Sequence, residues 1–426
     1  MNTLLRPLRL LLPILALAWL ALANPAAAAD SAAPAPAPAH SPAAHAADHH
    51  HAQDGEPPSF LQQVGYSYLT AYMFCLSLVM GSLFLILVHH LFDAGWSVPV
   101  RRVAEQLSSL LFPWMLVLVV PILALANLGY LHPWMKINPA EDHALDVKKV
   151  LFNPVAFSIL VPLLIASWGW MAHTFRRWSM AQDKDGAAVW TGHARKLAAA
   201  GIFYFALTLT LVCFYLMKSL QHQFFSTMYG VYYFAGSVWT TLATMWVLAL
   251  VLRDRGPLRQ VVHKRQIQDL GVWFFAFTVF YAYIHFSQYF LIWNAAIPEE
   301  TFWYVKREAG SWKWVGFTIL FGHFFVPFLL LLNQDIKLKA VVMIPMAAWA
   351  WLMHYVDMTF NVMPVLYPDG LHVTLLDPLF WLGMAGFLGF MFWRNFHAAA
   401  PYPLRDPRLK EAVTHHEVPA PGATHH

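Results

Sequence analysis

The chain has 426 residues, of which 59% are hydrophobic and only 12% are charged, and its net charge is +4. The basic residues are spread over short loops rather than gathered into a patch, which argues against a nucleic-acid partner. The two cysteines, Cys75 and Cys213, form no C-x-x-C pair, so a covalent haem or an iron–sulfur cluster has no attachment point.

The N-terminus carries Arg6 and Arg9, an apolar run from Leu10 to Leu22, and small residues at 26–29. This reads as a signal peptide or, uncleaved, as a short membrane helix over 1–29. Residues 30–65 form an Ala/Pro/His-rich linker with too few large apolar side chains to offset its ordering entropy, so disorder is expected. Its five histidines between residues 40 and 51 suit a solvated spacer better than a metal trap.

Nine mostly apolar blocks follow, at 66–92, 107–131, 151–175, 197–220, 227–252, 270–293, 315–332, 340–360 and 376–396. A helix of about 20 apolar residues crosses a bilayer, so 66–396 reads as an all-α polytopic membrane domain in contact with lipid. With the N-terminal segment the count of helices is nine or ten. Residues 397–426 form a polar tail ending in His425-His426. The loops at 93–106, 176–196, 253–269 and 333–339, with the tail from Arg394, hold 18 lysines and arginines, against seven in the alternate loops. That bias orients the first set and the C-terminus toward the cytoplasm, and the linker toward the periplasm.

Ionisable groups inside the blocks are costly and mark candidate chemistry. His354 and Asp357 share one face of the eighth block. His323 lies in the middle of the seventh, and His285 and Gln288 share a face of the sixth. Together they place hydrogen-bonding and titratable groups in the outer half of the membrane, where they can exchange protons with a quinol hydroxyl or relay them to the surface. The plainer alternative is that the histidines bond neighbouring helices, at roughly 0.6 kcal/mol each. Interface anchoring is expected for His89, His90 and His173, and snorkelling for Lys218 at the outer end of the fourth block. Glu299 and Glu300 are expected in a solvated outer loop. No metal site is expected within the membrane domain.

Several long segments resemble one protein family. They include His89-His90-Leu91-Phe92-Asp93-Ala94-Gly95-Trp96-Ser97-Val98 followed by Arg101-Arg102, and the run STMYGVYYFAGS from Ser226 to Ser237. FSQYFLIW at 286–293 leads on to Ile297-Pro298-Glu299-Glu300-Thr301. HFFVPFLLLL starts at His323, and Val356-Asp357 is followed by Val362-Met363-Pro364. These are similar to the F subunit of alternative complex III, a quinol:cytochrome c oxidoreductase, and to the NrfD/PsrC-type membrane anchors. The resemblance implies an integral subunit of a respiratory complex in the bacterial inner membrane. Its partners would be a sister NrfD-like membrane subunit, c-haem subunits and an iron–sulfur subunit. The chain itself would contribute quinone or quinol contact, a proton pathway, or both, without a redox cofactor of its own.

Departures from the family pattern are specific. Tyr215 and Leu216 stand where an acidic residue and a tryptophan are usual, and the nearest charge is Lys218. His354 replaces an expected arginine, and His285 an apolar residue. Loss of the fourth-block carboxylate weakens the case for complete quinol oxidation within this subunit. The competing reading is a secondary transporter with an intramembrane His/Asp site, but the blocks show no convincing inverted repeat and their charges gather toward one side.

Overall fold

The computed structural model of the protein describes residues 57–414. The N-terminal segment 1–29, residues 30–56 of the 30–65 linker and His425-His426 lie outside the described residues. Among those described there are helices and turns but no strands. Among the described residues, nine helices are long and apolar enough to span a membrane. The protein is an all-α integral membrane protein.

The first spanning helix, α1 (Phe60–Leu91), begins inside the stretch assigned to the linker, because Ser59 and Gln62 form a capping box there. It is apolar on every side, and 94% of its apolar window is buried, so it runs through the centre of the bundle. Small residues let its neighbours approach. A Cβ on Gly81 would come within 2.6 Å of the Ser237 carbonyl on α5 (Tyr229–Arg255), and Thr241 of α5 donates to the Leu78 carbonyl at 3.0 Å.

Around this core stand the segmented α2 (Gly95–Asn127), α3 (Pro154–Asp185), α4 (Val189–Leu216) and α6 (Lys264–Ala295). The short α7 (Pro298–Glu308) does not span. It leads to α8 (Trp312–Leu331), α9 (Ala340–Val362) and α10 (Leu376–His397). The outer helices turn exposed apolar side chains outward, among them Ile159, Phe203, Leu207, Phe286 and Leu382, as a lipid-facing surface requires. Helices α5 and α9 are mostly buried and pack on α1, forming with it the inner layer that carries the site.

The stretch 93–106, expected as a loop, is a correction. Val98–Ser108 is helical and buried along its whole length. Its charges are neutralised internally: Glu105 pairs with Arg101 at 3.2 Å and with Arg102 at 3.0 Å. Arg101 reaches Asp406 at 2.7 Å, and Arg102 reaches Asp183 at 2.8 Å. The described part of the tail is accordingly not a free solvated segment. Arg408 pairs with Asp93, and Arg405 donates to the Lys184 carbonyl at 2.6 Å. These contacts gather the arginine-rich loops and the tail at one end of the bundle, called here the basic end. The alternate loops share the opposite end, where Asp142 meets His222 at 2.7 Å and Ser67 of α1 donates to Asp377 at 2.6 Å.

Candidate functional site

Asp357 stands five residues before the end of α9, about 8 Å below the opposite end of the bundle. His354 lies one turn deeper on the same face. The spacing is helical, so their shared face follows directly from the sequence. His323 arrives from α8, where residues Leu320–Phe325 form a π-helical turn before Pro327 resumes the α-helix. A π turn widens the helix by one residue and is frequent at functional sites. The three side chains are fully buried, and one ligand atom from each lies within 4.8 Å of the others.

Aromatic rings fix the imidazole of His323. It is sandwiched between Trp239 of α5, at 3.8 Å between ring centres, and Tyr281 of α6, at 3.6 Å. Neither of its ring nitrogens has a hydrogen-bond partner among the described residues. His354 Nε2 lies 2.9 Å from the Ser77 hydroxyl on α1. That hydroxyl spends its one hydrogen on the Phe74 carbonyl, at 2.6 Å. Ser77 must therefore accept from His354, which places the imidazole hydrogen on Nε2 and leaves a bare lone pair on Nδ1. This Nδ1 faces Asp357 Oδ2 at 3.9 Å, and both atoms are buried without a partner.

The other carboxylate oxygen is well held. Tyr232 donates to Asp357 Oδ1. The Tyr232 hydroxyl in turn lies 3.2 Å from that of Tyr281 and receives Asn361 Nδ2 at 3.1 Å. With the Tyr232 hydrogen committed to the carboxylate, Tyr281 is the donor in their contact. Tyr229 donates to Asn361 Oδ1 at 3.0 Å. Beyond Asn361 sits Arg307 of α7, which donates to the carbonyls of Phe360 and Asn361, both at 2.9 Å. It also donates to the Trp303 carbonyl and to Gln221. Its guanidinium lies 3.5 Å over the Trp303 ring, and burial pushes its pKa down to about 9. A continuous polar run therefore connects the buried centre with the opposite end of the bundle.

Sequence-derived candidates fall into two groups. Asp357, His354 and His323 come together. His285 stands one layer away, its ring 5.4 Å from Tyr232 and 5.8 Å from Tyr281. Gln288 does not join them: it accepts from Ser226 at 3.1 Å and donates to Tyr304 at 3.2 Å, beside α7. Glu299 and Glu300 occupy the first turn of α7, where carboxylates complement the helix dipole, so their segment is a helix rather than a loop.

Three further expectations are corrected. His89 and His90 are not interface anchors but buried side chains, the first against Trp96 and the second stacked on Phe175 at 5.3 Å. Lys218 does not reach out to water. Its amine is buried with Phe214 at 4.8 Å, and desolvation lowers its pKa to about 7. The tyrosines, Trp239, Asn361 and Arg307 were missed as site residues. Tyr232 and Tyr229 lie in the distinctive 226–237 segment, but nothing local marks Arg307, which reads as one charge in a loop.

No known family model matches the chain, and no curated protein matches it.

Proposed function

We propose that the protein is an integral membrane subunit of a quinol:cytochrome c oxidoreductase of the alternative complex III kind. In this reading the His323–His354–Asp357 centre, with His285 and the tyrosines, contributes quinone contact, proton passage, or both. The observation that carries the reading is a buried carboxylate facing an imidazole lone pair at membrane depth, joined by hydrogen-bonded hydroxyl and amide groups to one end of the bundle. Such groups are expensive within a bilayer and serve to exchange protons or bind polar ligand atoms. A quinol hydroxyl needs an acceptor of this kind as it is oxidised. Gln288, beside α7, belongs to the same reading as a contact nearer the surface. The c-haems and iron–sulfur clusters would reside in partner subunits, and the membrane would be a bacterial inner membrane with the basic end cytoplasmic.

The test is purification of the tagged chain from its native membrane in mild detergent, followed by mass spectrometry, haem spectra and a quinol:cytochrome c assay. Co-purified c-haem and iron–sulfur subunits with activity are expected. Within such a complex, Asp357→Asn should leave assembly intact and reduce turnover by roughly a hundredfold, the scale of a positioned acid–base group. Full turnover in an assembled variant removes Asp357 from the pathway. A chain that purifies alone, while other respiratory complexes survive the same detergent, favours a secondary transporter instead.

A further inference from the structure

We propose that His323, His354 and Asp357 form a binding site for a divalent transition cation of the zinc class. The argument starts from an electrostatic conflict. His354 Nδ1 and Asp357 Oδ2 are both acceptors, both are buried, and they face each other across 3.9 Å. The hydrogen-bond chain from His354 through Ser77 to the Phe74 carbonyl puts the imidazole hydrogen on the far nitrogen. With the carboxylate ionised, no hydrogen lies between the two acceptors, and 3.9 Å is too long for one to bridge them. Adding His323, whose two ring nitrogens are also without partners, makes three lone-pair donors converging on one buried point. Buried acceptors left this way cost about 1–3 kcal/mol each, and a cation among them relieves all three at once.

The donor set selects the ion. Two imidazoles and one carboxylate suit zinc and its borderline neighbours, which bind such ligands at about 2.0–2.2 Å. Ligands of one ion therefore sit roughly 3–4 Å apart, so a site spanning 4.8 Å closes by about an ångström on binding. The His354–Asp357 pair is already at such a spacing.

The surrounding groups are those a metal site needs. Ser77 fixes the His354 tautomer with its lone pair inward. Tyr232 and Asn361 hold Asp357 Oδ1 and so leave Oδ2 for the ion, while Trp239 and Tyr281 clamp the plane of His323. Partners of this kind orient the ligands, and the Ser77 acceptor also makes the His354 lone pair more basic. The inference needs these side chains alone. It stands whether or not the chain belongs to a respiratory complex, and its test reads bound metal rather than turnover. In a complex, an ion seated here would occupy the same lone pairs that protons use, and would oppose proton passage.

The experiment is titration of the purified, metal-stripped full chain with Co2+, read by its visible d–d absorption, with Zn2+ as competitor. Full chains carrying His354→Gln or Asp357→Asn serve as references, so the five histidines between residues 40 and 51 contribute equally to every sample. We expect one additional ion per unsubstituted chain, with the strong absorption of a low-coordinate site, displaced by Zn2+ and lost in both variants. Identical spectra for all three proteins overturn the proposal. Should the variants fail to fold, the unsubstituted chain still decides. A buried ion leaves slowly, so added chelator should remove Co2+ in a fast phase from weakly held sites and a separate slow phase from the buried centre. A single fast phase overturns the site. Ser77→Ala, which keeps all three ligands, should weaken the slow-phase site by about 10–100-fold; unchanged affinity would overturn the proposal in this form.

Discussion

Two buried cations at the opposite end of the bundle show how much depends on what a charge touches. Arg307 has four of its five N–H groups paired, with the carbonyls of Trp303, Phe360 and Asn361 and with Gln221. Removing it leaves the C-terminal carbonyls of the helix that carries Asp357 without donors. Arg307→Met should cost about 2–4 kcal/mol, seen as a lower melting temperature in detergent, from orphaned buried acceptors and the lost contact with Trp303. Arg307→Lys should recover little, since an ammonium cannot reproduce the planar fork. Lys218 presents the opposite case, because its amine rests among aromatic rings. Its pKa is about 7 in the fold against the ordinary 10.5. Between those values the unfolded lysine holds a proton that the folded one lacks, so this residue makes stability rise with pH over that window. Lys218→Met should therefore melt above the parent protein at pH 7, and the gap should shrink as pH approaches 10. A gap that does not change with pH would refute the desolvated amine.

At the scale of elements, the centre depends on how closely α8 approaches α9. Gly322 lies in the π turn beside His323, and an added Cβ there would collide with the Met353 sulfur and approach Trp349 at 3.1 Å. Gly322→Ala should push the two helices apart, at about 1–3 kcal/mol, and carry His323 away from His354 and Asp357. Gly383→Ala on α10, where a Cβ meets open space, should leave the melting temperature unchanged and so serves as the control. The spanning helices themselves were legible in the sequence, because a run of apolar residues long enough to cross a bilayer is a one-dimensional property. Block 376–396 thus matches Leu376–His397, and block 340–360 matches most of Ala340–Val362. Helix Val98–Ser108 was not legible. Its two arginines and its glutamate read as solvated loop, yet they pair with each other, with Asp183 and with a carboxylate some 300 positions away, Asp406. The π turn was hidden for a related reason: its hydrogen-bond pattern leaves no residue signature beyond the nearby Gly322 and Pro327. At the centre, Asp357 and the histidines could be found because ionisable groups in apolar blocks stand out. Tyr232 and Tyr281 could not, because an aromatic in a membrane helix is ordinarily packing.

Across the whole molecule, two ends of different chemistry are separated by an apolar belt. One end is closed by the paired arginines 101 and 102 and by the tail. The other carries the polar run that begins at Asp357 and reaches Arg307. Which way the bundle sits in its membrane decides which compartment that run faces, and hence the direction in which any proton could leave. The excess of lysine and arginine at the basic end argues that it stays in the cytoplasm. Single-cysteine labelling tests this directly, because the native thiols Cys75 and Cys213 are both buried and should remain silent to a membrane-impermeant maleimide. Lys149, exposed at the opposite end, replaced by cysteine should label in spheroplasts without lysis. Lys184, exposed at the basic end, replaced by cysteine should label only after the membrane is opened. The reverse pattern would invert the bundle, turn the Asp357 run toward the cytoplasm, and make the centre a point of proton uptake from that side. Labelling of the unsubstituted chain would show that a supposedly buried thiol is reachable, and would count against the packing around α1 and α4.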